Sequence, residues 1–252
     1  MIQVIPKPEN WSSLALFEKI GVYGKSLTKE HSVYIDKLQA KKIVKDILGD
    51  KIEVANVVRV LGNRIDLTTE DLQKNYILKA SHASGWNISL TPSTNINHAQ
   101  MLLYTWSKQF RPTREVQYSF LTPGFFIEER IQDSVLGENE SCIVYMFRYI
   151  HGKLISIGVG TGVGRQNLCN HYDINWNLLL DAEISFHVPK PKQLDDMLQM
   201  SSVLAERFEF VRIDLFIDKS EKIYFSEFTL TPKAGSPVFP LQLEKEYGAL
   251  WT

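Results

Sequence analysis

The stretch Phe210-Val-Arg212-Ile-Asp214-Leu-Phe216, followed after a short polar turn by Lys222-Ile-Tyr-Phe-Ser-Glu227-Phe-Thr229-Leu-Thr231-Pro232, decides how the rest of the chain is read. Both segments have the β-branched and aromatic content of strands, and residues 218–221 supply a turn between them. Side chains alternate across a strand, so Arg212 and Asp214 share a face of the first segment and Glu227, Thr229 and Thr231 a face of the second. Antiparallel pairing across the turn predicts that Asp214 and Glu227 converge. Two carboxylates with the neutral oxygen of Thr229 make a hard-oxygen set suited to Mg²⁺, which prefers octahedral oxygen ligands and phosphate co-ligands. Arg212 can then stabilise phosphoryl charge. The same alternation also fits the solvent face of an ordinary hairpin, and spacing alone favours that plainer reading.

Working outward, Tyr76-Ile-Leu-Lys79-Ala-Ser81-His82-Ala-Ser84-Gly85 is a buried strand that ends in a lysine and runs into a small, polar loop. Such a loop can turn backbone N–H groups toward phosphate oxygens while Lys79 adds a point charge. GxxxxGK[ST] is absent, so it is no P-loop, and a plain turn fits the composition as well. Ile127-Glu128-Glu129-Arg130-Ile131 and the later Glu138 and Glu140 offer carboxylates that can accept hydrogen bonds from nucleotide hydroxyl or amino groups, although surface charge is the commoner use of such residues. Gly158, Gly160, Gly162 and Gly164 miss the GxGxxG spacing of a dinucleotide fold. No HExxH or G-x-S-x-G is present, which leaves zinc hydrolases and α/β-hydrolases without support. His82, alone beside candidate chemistry, reads as a loop hydrogen-bonder rather than a catalyst.

The 252 residues carry 28 Lys and Arg against 29 Asp and Glu, so no whole-chain field points to a nucleic-acid partner. The two cysteines, Cys142 and Cys169, have no zinc-finger spacing, which fits a reducing cytoplasm. No apolar run approaches the roughly 20 residues of a membrane span. Strands are expected at 53–61, 76–79, 125–131, 141–150, 153–159, 210–216 and 222–228, and helices at 36–48, 98–109 and 194–208. Residues 11–31 read as a mixed lead-in broken by Gly21 and Gly24. Strands and helices without strict alternation give an α+β fold.

Taken in order, Asp36-Lys37-Leu38 with Lys41, Lys79 and its loop, Ile127-Glu128-Glu129, Arg212-x-Asp214 and Glu227-x-Thr229 with Thr231-Pro232 resemble the ATP-grasp superfamily. Within it, Lys79-Ala-Ser-His-Ala-Ser-Gly85, Arg114-Glu-Val-Gln-Tyr118, Phe210-Val-Arg-Ile-Asp214, Tyr224-Phe-Ser-Glu-Phe-Thr-Leu-Thr-Pro232 and His171-Tyr-Asp-Ile-Asn-Trp176 are similar to the TupA-like polysaccharide-biosynthesis proteins. The likeness runs from Asp36 to the C-terminus. It implies two α+β subdomains, near 36–125 and 126–252, clasping a nucleotide after a lead-in at 1–35.

By the same resemblance ATP phosphorylates a carboxylate, an amine attacks the acyl phosphate, and Mg²⁺ assists. Lys37 or Lys41 corresponds to the first nucleotide lysine and Lys79 to the second. Ser81, His82, Ser84 and Gly85 lie in the phosphate-covering loop, Glu128 and Glu129 reach adenine or ribose, and Glu138 or Glu140 is a weaker candidate. Asp214 and Glu227 match metal carboxylates, Thr229 replaces a third-ligand Asn, and Arg212 matches the phosphate-side arginine. The implied partners are a sugar carboxylate or polysaccharide precursor, an amino acid or amine, and other polysaccharide-biosynthesis proteins. Two departures stand out. Val144-Tyr-Met146-Phe147 replaces D-Y-K-F, a loss that Arg148 or Arg165 could offset, and Ser81 and Ala83 replace Asn and Gly in the loop. A non-catalytic nucleotide- or glycan-binding homologue and a sugar kinase are the alternatives.

Overall fold

A computed structural model describes residues 7–62, 66–72, 76–108, 114–133, 135, 142–161, 169–180 and 188–252. Glu138, Glu140, Gly162, Gly164 and Arg165 lie outside the described residues. The helices are α1 (Leu16–Ser26), α2 (Lys29–Ile35), α3 (Lys37–Leu48), α4 (Ile96–Trp106), α5 (Leu194–Ala205) and α6 (Leu241–Ala249). The strands are β1 (Glu53–Val54), β2 (Val57–Gly62), β3 (Tyr76–Ala80), β4 (Asn87–Leu90), β5 (Phe125–Glu129), β6 (Ile143–Ile150), β7 (Lys153–Thr161), β8 (Asn170–Tyr172), β9 (Leu178–Leu180), β10 (Phe210–Ile217) and β11 (Ile223–Thr229).

Helix α3 starts where the sequence places it because the Asp36 carboxylate accepts from the N–H groups of Leu38 and Gln39, at 3.0 and 2.9 Å. It stops at Gly49, whose φ of 58° suits the left-handed region. Strands segregate into two sheets. A small sheet has the order β2-β5-β3-β4, and a large one the order β1-β11-β10-β6-β7-β8-β9. Each sheet has its own apolar cluster, built around Leu78, Leu90, Leu103 and Phe125 in the small unit and around Phe147, Ile157, Ile213 and Phe225 in the large one.

The strand expected at 53–61 is in fact two. Glu53 and Val54 pair in parallel with β11, the chain crosses at Ala55 and Asn56, and Val57–Gly62 then pairs with β5. A β-branched run states that it is extended, not which sheet it joins. The carbonyls at the crossing are satisfied from both sides: Lys41 Nζ donates to Ala55 at 2.7 Å, and the Glu129 N–H to Asn56 at 3.0 Å. The second crossing follows Glu129, and there the Lys219 N–H holds the Gln132 carbonyl at 2.9 Å.

Gly21 and Gly24 do not break the lead-in, since α1 runs through both. Leu16, Ile20, Tyr23, Leu27 and Ile35 belong to the large apolar cluster, so tertiary burial outweighs the low helix propensity of glycine. Gly24 is there for close approach: a Cβ would lie 2.7 Å from the Arg114 carbonyl oxygen and 2.9 Å from Thr231 Cγ2. Gly24→Ala is therefore expected to lose about 1–3 kcal/mol by overpacking, read as a lower midpoint in denaturant at unchanged slope.

Candidate active site

The two crossings set the sheets against each other across a cavity of about 200 Å³. Ile77 comes from the small sheet, Val144, Phe216 and Phe225 from the large one, and Ala55 and Ile131 from the crossings. This apolar wall suits a flat heterocycle. Val144, part of the first departure, lines it. At the polar end Glu128, only 3% exposed, accepts from Lys41 Nζ and from Lys79 Nζ, each at 2.5 Å. Burial alone would raise the Glu128 carboxyl, but Lys79 and Lys41 outweigh it and hold it below the usual carboxylate range. Burial pulls Lys41 down, with Glu128 opposing. Lys41 thus ties α3 and the crossing to the small sheet, while Lys79 has Glu128 alone as its ion-pair partner among the described residues. Glu129, on the alternate face, is exposed.

Beyond the cavity the face of the large sheet turns polar in steps of two residues, each about 7 Å at the rise of an extended chain. After Val144 and Phe216 come Met146 and Asp214, directly opposite one another, then Arg148 and Arg212, also opposite. On the other side of β10, Asp214 faces Glu227 and Arg212 faces Thr229. This register depends on a bulge. From the turn, Ile217 pairs with Ile223, and a regular ladder would set Asp214 against Ser226 and put Glu227 on the wrong face. The irregularity between Asp214 and Leu215 inserts Ser226 as the extra residue and restores the match.

Arg212 grips Asp214 through Nε at 2.7 Å and Nη2 at 2.6 Å, and the same Nη2 lies 3.5 Å from Glu227. Burial disfavours the Arg212 charge, but Asp214 and Glu227 outweigh it and keep the guanidinium protonated. The Thr229 hydroxyl lies 3.4 Å from Glu227 Oε1. The donor set is oxygen throughout, as a Mg²⁺ site requires, with two carboxylates and a hydroxyl.

The loop after β3 closes this end. Lys37 Nζ donates to the Ala83 carbonyl, and the Lys37 N–H to that of Ser81 at 3.2 Å. Burial lowers Lys37, opposed by the charge of Glu227. Ser84 and Gly85 are exposed, Gly85 with φ of 72°. His82 is fully buried, its ring nitrogens engaged with the backbone of Gly124 and, at 2.9 Å, the Trp106 carbonyl. Burial keeps this imidazole neutral, so it anchors the loop.

One group went unassigned in the sequence. Gln117 donates to Thr231 Oγ1 at 2.8 Å, and that hydroxyl donates to Glu115 at 3.0 Å. Burial raises the Glu115 carboxyl, Thr231 opposing it and nearby Glu227 reinforcing it. Buried Tyr118 senses the charges of Glu227, Glu115 and Arg212 and a hydrogen bond from Ser84. The Arg114-Glu-Val-Gln-Tyr118 stretch was visible as a family likeness, but only the fold brings it to the cleft.

A family model described as TupA-like ATPgrasp matches residues 20–251. The chain belongs to the TupA-like ATP-grasp family. No curated protein matches it. Among solved structures, this ATP-grasp chain is similar to the ADP complex of N5-carboxyaminoimidazole ribonucleotide synthetase, at 13% identity and a TM-score of 0.52, over 83% of this chain and 48% of that one. It is also similar to D-alanine–D-alanine ligase from Bacillus anthracis, at 14% identity and a TM-score of 0.45, over 79% and 56% of the two chains. The TupA-like chain thus spans about half the length of these structures. The first likeness bears out the ATP-grasp fold, with helices mixed among two sheets. Among the described residues no helix is long and apolar enough to cross a membrane.

Proposed function

We propose that the protein is an ATP- and Mg²⁺-dependent carboxylate–amine ligase. The observation that carries this reading is the direct opposition of Asp214 and Glu227 beside Arg212, one step beyond an apolar cavity rimmed by Lys79. The nucleotide base fits the cavity wall of Val144, Phe216 and Phe225, with Lys79 and Lys37 toward its phosphates and the Ser81 to Gly85 loop above them. Asp214, Glu227 and Thr229 would hold the Mg²⁺, which neutralises phosphate charge when bound. Phosphoryl transfer needs positioning and charge neutralisation more than a protein nucleophile, and the cleft is built in that way. The acceptor carboxylate attacks the terminal phosphorus, ADP leaves, and an amine then displaces phosphate from the acyl phosphate to form the amide.

The family likeness supports the substrate class. We assign the carboxylate to a uronic acid of a capsular or other surface polysaccharide and the amine to an amino acid or simple amine, with the reaction in the cytoplasm, where ATP is supplied. The test is a panel of uronates and amines incubated with protein and Mg-ATP, followed by phosphate release and mass spectrometry. ADP, phosphate and amide formed only when both substrates are present is the expected result. A stable phosphorylated sugar would instead make it a kinase.

Met146 favours a second reading. It stands directly opposite Asp214, where a lysine would have added charge at the phosphate end. If turnover has been lost, the architecture serves binding alone, and Asp214→Asn with Glu227→Gln leaves cellular function intact.

A further inference from the structure

The two cysteines have opposite surroundings. Cys142 Sγ donates to the Ile131 carbonyl at 3.2 Å, and burial, with the charge of Asp133, pushes this thiol up to about 11. It is held as a protonated donor. Cys169, half-buried immediately before β8, has its Sγ 3.1 Å from His171 Nε2. On the other side of that ring, His171 Nδ1 lies 3.3 Å from Arg148 Nη1. An arginine only donates, so Nδ1 accepts, the imidazole proton sits on Nε2, and the Cys169 sulfur is the acceptor. Burial, with the charges of Arg148, Lys233 and Arg212, pushes His171 down to about 2, so the ring stays neutral and this direction of donation is fixed.

The fold builds this arrangement from three strands. Cys169 and His171 are two residues apart, and the period of an extended chain sets them on one face. His171, 1% exposed, is in register with Gly158 of β7, where a Cβ would lie 2.8 Å from Arg148 Nη1 and 3.3 Å from His171 Cε1. Glycine there lets the guanidinium of β6 and the imidazole of β8 meet. Phe239 closes the ring in, with 4.7 Å between centroids. Burial pulls the Arg148 charge down, and the charge of Cys169 opposes this first, followed by that of Asp214. A charge on Cys169 also favours Arg212. Arg148 Nε has no partner among the described residues, which leaves a donor for an oxygen that joins the cluster. A sulfur that faces an N–H donor and a buried guanidinium is in a setting that favours the nucleophilic, anionic form of a thiol.

We propose that Cys169 is a peroxide-reactive thiol, a modification site at which hydrogen peroxide forms a sulfenic acid. The sulfur attacks one peroxide oxygen, the S–O bond forms as the O–O bond breaks, and sulfur gives up two electrons to the departing oxygen. The leaving hydroxide and the thiol proton end as water, so one thiol and one peroxide become one sulfenic acid and one water. His171 and Arg148 are positioning residues that hold the sulfur anion and do not themselves react. Cys142, bound as a donor, stays a thiol. The inference does not depend on the ligase reading, since the reacting sulfur belongs to neither the nucleotide set nor the metal set.

The test is mass spectrometry of the full chain treated with hydrogen peroxide at neutral pH, with the sulfenic acid trapped by dimedone and both cysteine peptides followed in time. In the folded protein Cys169 should label about tenfold faster than Cys142, and about tenfold faster than Cys169 itself in urea, where the thiol is exposed but His171 and Arg148 no longer face it. The second ratio separates activation from exposure, because a thiol that is only exposed gains on unfolding. His171→Leu should bring the folded rate down to the unfolded one at unchanged circular dichroism, while His171→Gln, which keeps an N–H donor, should retain most of it. A Cys169 rate no higher in the folded than in the unfolded chain overturns the proposal, as does a folded His171→Leu variant that labels like the parent. If neither variant folds, the folded-to-unfolded ratio of the parent decides alone. Rapid alkylation of Cys169 by iodoacetamide with no dimedone-trapped product overturns the peroxide assignment.

Discussion

Replacing Asp214 by Asn together with Glu227 by Gln is expected to weaken Mg²⁺-dependent ATP binding roughly 100-fold, about 2.8 kcal/mol at 1.4 kcal/mol per decade. The two carboxylates face each other across β10 and β11 and would supply the anionic part of the proposed metal set. Calorimetry with and without Mg²⁺ reads the effect. In the variant the affinity should fall to the value the parent shows without metal, while circular dichroism stays unchanged. Asp214→Asn also weakens the grip on Arg212, so Glu227→Gln alone is the safer companion, since it leaves the contacts at 2.6 and 2.7 Å in place. A well-folded parent that binds no ATP would bring the departures at Val144 and Met146 to the fore and favour a non-catalytic protein. ATP binding that ignores both Mg²⁺ and the substitutions would place the nucleotide elsewhere.

Glu128→Gln should be the most damaging single change to stability. It leaves Lys41 and Lys79 in the cleft without a counter-charge, and breaking a buried ion pair from one side costs about 3–5 kcal/mol. A large drop in melting temperature at neutral pH is the expected reading. The pH dependence gives a second check with a definite sign. The folded-state pKa of Glu128 lies below its ordinary value of 4.5, because Lys79 and Lys41 overcome the effect of burial. Its contribution is therefore fully present above pH 4.5 and is lost as the pH falls from there through the folded value. The gap in melting temperature between parent and Glu128→Gln should narrow across that acid range. A gap that stays constant down to pH 3 would mean that the carboxylate is not held by the lysines.

Much of this site was legible because its chemistry is carried by residue types at fixed spacing. Arg212-x-Asp214 and Glu227-x-Thr229 sit on strands, where a period of two puts alternate residues on one face. Lys79 ends a buried strand, and Asp36 is the kind of residue that starts a helix. Other parts were invisible for equally physical reasons. Glu115 and Tyr118 reach the cleft through packing of the segment before β5, and nothing local says which surface that segment meets. The lead-in looked broken at Gly21 and Gly24 because propensity is local, whereas the burial that holds α1 is not.

The sequence by itself determined the family, the polar faces of two strands and the set of cations and carboxylates available to a nucleotide. Only the tertiary structure decided that residues 53–61 serve two sheets and that Glu128 is shared by Lys41 and Lys79. It also decided that Ser226 bulges, without which Asp214 would face a serine instead of Glu227. A strand's period fixes which side chains share a face, but register and pairing partner depend on hydrogen bonds to chain segments far away in sequence.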